Sequence, residues 1–79
     1  MDVRKRVGLN LRRYRKEAEL SQEDFAFKVK LHRTYISGVE RGIRNPTVLV
    51  LEKIAKALKI QSSRLLDEPG EDPKVSKRK

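Results

Sequence analysis

Residues 21–41, SQEDFAFKVKLHRTYISGVER, hold two helical stretches separated by three residues, and that spacing constrains the fold more than any other feature of the 79-residue chain. Ser21 is a good N-cap, and Glu23 and Asp24 behind it suit the positive end of a helix. Phe25, Ala26 and Val29 share one side and form its buried face. Lys30-Leu31-His32 is too short for anything but a turn, with Leu31 placed to plug the angle between the helices. The next helix is expected from about Arg33 to Arg41, with Ile36, Val39 and Glu40 inward and Arg33, Thr34, Ser37 and Gly38 outward. Gly42 follows as a left-handed stop. A short helix with an arginine, two hydroxyls and a glycine on its polar side is built to lie against something polar and anionic. In a chain of net charge +9 the natural anion is a nucleic acid.

The rest of the chain frames this pair. Val3, Val7, Leu11 and Tyr14 recur at helical spacing from Val3 to about Ala18, with arginines and lysines on the other faces. Thr47 caps a further helix, in which Val48, Leu51, Ile54, Ala55 and Leu58 repeat at three- and four-residue steps. A short turn, Ser62 to Leu66, follows Ile60. No segment alternates as a strand does, so the expected class is all-α with five helices, in one domain over residues 1–67. Residues 68–79, EPGEDPKVSKRK, are expected to form a disordered charged tail.

Composition removes several functions. Without cysteine, and with His32 as the only histidine, a zinc site of the usual kind is out of reach, and no metal or cofactor is expected. His32 is read as a turn residue. No nucleophile–base pair and no phosphate loop is present, so an enzyme is not expected. The longest uncharged apolar run, Val48 to Leu51, is far short of the ~20 residues that span a bilayer. A soluble cytoplasmic, nucleoid-associated protein is the expectation. Residues 1–46 carry twelve Lys/Arg against six acids, and residues 47–79 carry eight against five. The basic excess therefore lies mainly in the half with the two-helix segment.

Two helices joined by so short a turn are the signature of a helix-turn-helix, whose second helix enters the major groove. From about Val7 to Leu66 the chain resembles the Cro/C1-type (XRE) helix-turn-helix family, which implies a lambda-repressor-like domain. The residues that carry the resemblance include Gly8, Leu11, Arg15, Ser21-Gln22-Glu23, Ala26, Tyr35-Ile36-Ser37, Glu40-Arg41-Gly42, Asn45-Pro46 and Ile54-Ala55-Lys56-Ala57-Leu58. Within that family, Arg33 to Arg41 is similar to the recognition helix of restriction–modification controller proteins. Three positions depart from the pattern. Lys30 and Lys59 stand where relatives often have glycine, so Lys30 is expected to need a positive φ. His32 replaces the usual Ser or Asp cap.

The expected roles follow. Arg33 can bind guanine O6 and N7 with both guanidinium nitrogens, and Thr34 and Ser37 lie where they can touch bases; a phosphate contact or a solvated side chain is the plainer reading of each. The resemblance implies that Gln22 sits against the recognition helix and a phosphate, and Tyr35, Arg41, Arg44 and Asn45 are expected on phosphates, adding affinity rather than specificity. Gly38, with no side chain to read with, would permit close approach to the groove wall. The resemblance implies a buried salt bridge between Arg15 and Glu40. Leu49 and Val50, with Ile60, Leu65 and Leu66, could form an apolar patch for a homodimer, or could simply close the monomer's core. A two-fold dimer would set its recognition helices about 34 Å apart on double-stranded DNA and require a near-palindromic operator. The alternative from another class is an antitoxin or bridging protein that uses the same fold to bind a partner protein.

Overall fold

The computed structural model describes residues 1–69, and most of its helix ends have a local cause. Helix α1 spans Val3–Glu17, α2 Gln22–Val29, α3 Arg33–Glu40 and α4 Val48–Leu58, and a 3-10 turn follows at Ser62–Leu66. The described residues contain no strand. The expected five helices are thus four α-helices and one 3-10 turn, because five residues closing on Asp67 are too few for a further α-helix.

Side-chain oxygens start three of the helices. Asp2 accepts from the Arg4 amide at 2.7 Å, Ser21 from Asp24 at 2.9 Å and Thr47 from Val50 at 3.1 Å. The Arg4 guanidinium, and then its amide, hold the Asp2 carboxyl down at about 2. Only α3 begins without such a bond, since His32 supplies none.

All four helices end by the same closure, in which an amide two or three places beyond the last helical residue reaches back to a carbonyl five residues earlier. Leu20 bonds Arg15, Leu31 bonds Ala26, Ile43 bonds Gly38 and Ile60 bonds Ala55, at 2.9–3.1 Å. The residue before each adopts positive φ: Glu19, Lys30 and Lys59 at 60° and Gly42 at 78°. Three of the four closures therefore hold a charged residue where glycine would be unstrained. Leu20, Leu31 and Ile60 then turn back onto the core.

That core is Val7, Leu11, Phe25, Ala26, Val29, Ile36, Val39, Ile54, Ala55 and Leu65. Helix α1 packs on α3 and on the 3-10 turn, and α2 and α4 complete the enclosure. The α1–α3 crossing depends on Gly8, where a Cβ would stand 2.6 Å from the Glu40 carbonyl oxygen. Val48 departs from the expected stripe: it is 79% exposed, and Val50 packs against the core instead. The first turn of α4 projects past the core, so its apolar repeat starts one turn late.

The C-terminal turn is tied to α1 by Asn10, which is fully buried. Its side-chain amide donates to the Leu65 carbonyl at 2.9 Å and to the Asp67 carbonyl at 2.7 Å. Glu68, the first residue of the expected tail, reaches Arg6 at 3.3 Å. The remainder of that tail, residues 70–79, lies outside the described residues.

Candidate nucleic-acid interface

The bearing of α3 is set by a buried ion pair. Arg15 on α1 grips Glu40 on α3 with two parallel bonds, Nε to Oε2 at 2.6 Å and Nη2 to Oε1 at 3.0 Å. Both side chains are less than 8% exposed. Arg15 also donates to the Leu20 carbonyl at 2.7 Å, and Gln22 on α2 donates to Glu40 Oε1 at 3.0 Å. One carboxylate thus receives donors from two other helices, which is how buried charges become tolerable. Gln22 thus lies against α3, as expected, and spends one of its two amide N–H groups on Glu40, which leaves the other N–H and the start of α2 for an outside acceptor.

On the outer side of α3, Gln22, Arg33, Thr34, Ser37 and Arg41 line one shallow, open depression of about 170 Å³. Arg33, Thr34 and Arg41 are exposed and Ser37 is half-buried. The fold therefore gathers all three residues expected to touch bases, with two of the five expected on phosphates, around a single concave surface. Because His32 gives α3 no side-chain cap, the positive end of that helix is open at the same surface.

Tyr35 and Arg44 sit beside this depression as a pair, with the Arg44 guanidinium 5.6 Å from the centre of the Tyr35 ring. Gly38 explains their arrangement. The outward, groove-facing role expected for it does not hold: Gly38 is buried, and a Cβ there would stand 2.6 Å from Arg44 Cγ. The missing side chain makes room for Arg44, whose amide also bonds the Gly38 carbonyl at 3.3 Å. Asn45 is exposed in the same loop.

The residues expected at a dimer interface separate. Leu49 is 82% and Leu66 42% exposed, Ile60 is half-buried against the core, and Leu65 is wholly enclosed. Leu65 is corrected to a core residue, held inward by the Asn10 bonds that fix its carbonyl. Val48 and Ile43, at 79% and 59%, are exposed apolar residues that sequence reasoning did not place here.

This geometry matches a known family. Residues 11–65 fit the helix-turn-helix family HTH_3. The chain belongs to that family. It is 46% identical to the control protein C.BamHI of Bacillus amyloliquefaciens over 84% of this chain and 83% of that protein. The crystal structure of a hypothetical transcription factor from Neisseria, NHTF, superposes with a TM-score of 0.85 at 38% identity, covering 94% of this chain and 85% of the other. The restriction–modification controller protein C.Esp1396I, solved as a tetramer in complex with its natural 35-base-pair operator, superposes with a TM-score of 0.73 at 38% identity, covering 82% and 86%. Among the described residues, no helix is long and apolar enough to cross a membrane.

Proposed function

We propose that this protein is a sequence-specific regulator of transcription of the restriction–modification controller type, binding double-stranded DNA as a homodimer with α3 in the major groove. The observation that carries the reading is the concave surface formed by Gln22, Arg33, Thr34, Ser37 and Arg41 on a helix whose N-terminus is open. Arg33, Thr34 and Ser37 read base edges there. Arg41 and Asn45 hold phosphates, as do Tyr35 and Arg44 as a stacked pair. Likeness to a controller solved on its operator supports the choice of ligand. The exposed apolar residues Val48 and Leu49 at the start of α4, with Leu66, support a second copy as partner. A two-fold pair of such domains calls for a near-palindromic operator.

The test is selection from a random pool of duplex DNA at roughly physiological salt, with sequencing of the bound fraction. A two-fold-symmetric motif with half-sites about one helical turn apart is the expected result. Retention without enrichment would reject the reading and put a partner protein in place of DNA.

A further inference from the structure

The outward side of α1 carries cations that neither the core nor the recognition helix employs. Helix α1 holds seven Lys/Arg against a single acid, Glu17. Four of the seven have visible roles. Arg15 is in the buried pair, Arg4 bonds Asp2, Arg6 reaches Glu68, and the Arg13 guanidinium lies 4.6 Å over the Tyr14 ring. Lys5, Arg12 and Lys16 remain. All three are exposed, and among the described residues none forms an ion pair. Steps of seven and four residues place them in one stripe about 16 Å long, at 1.5 Å per residue. Like charges so arranged repel, so no attraction among the three accounts for the stripe.

The stripe starts beside the end of the recognition helix. Gly42, next to Arg41, lies against Lys5: a Cβ at position 42 would stand 2.7 Å from Lys5 Cγ and 3.2 Å from its Cα. One turn along α1, Gly8 lies beneath the Val39 and Glu40 carbonyls. Helix α1 therefore crosses the C-terminal end of α3, and its cations continue from the loop that carries Arg41 and Arg44.

We infer that Lys5, Arg12 and Lys16 form a second phosphate-binding track, which engages the DNA backbone beyond the base pairs that α3 faces. The inference rests on the DNA-binding reading above. Duplex DNA presents one negative charge per ~1.7 Å of its axis, a line of anions that a row of long cationic side chains can follow without reading bases. An anionic membrane is the poorer match. Val3 and Leu9, 47% and 46% exposed, are the large apolar residues at the surface of α1, and an interfacial helix needs a whole apolar face to bury.

The experiment compares the wild type with the K5Q/R12Q/K16Q variant on duplexes of about 40 base pairs, one of random sequence and one carrying the motif enriched from the pool, between 50 and 200 mM salt. A thermal melt of each protein confirms that the fold is retained. Losing three phosphate contacts lowers the salt slope by almost three, so the wild type should lose roughly 40-fold more affinity than the variant across that range. Sequence preference should not change. Parallel slopes alongside an enriched motif would remove the track and leave the DNA-binding reading standing. A wild type with no salt-dependent binding to either duplex would remove both. Parallel slopes with lost binding to phosphatidylserine vesicles would assign the stripe to a membrane surface and overturn the inference.

Discussion

Arg44 lies in the notch that Gly38 leaves on the side of α3, with its guanidinium over the Tyr35 ring. The G38A variant should fold at least as well as the wild type, because alanine is favoured over glycine in mid-helix by about 1 kcal/mol. Its added methyl should nevertheless displace Arg44 and weaken operator binding about tenfold, or 1.4 kcal/mol. The R44A variant should show a similar loss, and adding G38A to it should cost nothing more. Additive losses in that double-mutant cycle would mean that the methyl meets the DNA directly.

The Arg15–Glu40 pair should behave as a structural unit. Either R15A or E40A leaves a buried charge without its partner and should cost about 3–5 kcal/mol, read by urea denaturation. An apolar pair, R15M/E40L, should be more stable than either single variant. Q22A removes one donor from an otherwise satisfied carboxylate, so a loss of only about 1 kcal/mol is expected.

Replacing Lys59 with glycine should stabilise the domain. A non-glycine residue at φ 60° is strained by about 1–2 kcal/mol, and glycine's extra backbone entropy offsets roughly half of that. The net gain of about 1 kcal/mol would raise the melting temperature by about 4–8 °C. Lys30 and Glu19 have the same geometry and should respond in the same direction. A melting temperature that falls in all three would show that these side chains make contacts worth more than the strain.

R33A should weaken binding to the enriched motif by about 1–3 kcal/mol and relax preference at one base position, with little effect on random-sequence DNA. Equal losses on both duplexes would make Arg33 a phosphate contact.

Much of this was legible because it is local. Ser21 and Thr47 announce their helices through a side-chain oxygen placed three residues ahead of the amide it accepts from. That Arg33, Thr34 and Ser37 gather at one depression could be read because they share one side of a single short helix. Asn10 could not. A polar residue in the first helix reads as solvent-facing, and its partners Leu65 and Asp67 lie 55 and 57 residues away, on carbonyls that any sequence would supply. Gly38 was misread for a similar reason: what fills its notch arrives from a loop whose path no periodicity fixes. Leu65 and Leu66 are adjacent leucines of opposite fate, and only the direction in which the 3-10 turn docks separates them.

The bonds from Asn10 to the final turn also set where the polypeptide can be shortened. Leu65 sits in the same packed interior as Phe25 and Ile36, and its seat is locked from behind by the first helix. The shortest self-folding version of this protein must therefore run through Asp67. A stop codon only a few residues earlier would not trim a loose end; it would pull a plug from the middle of the domain.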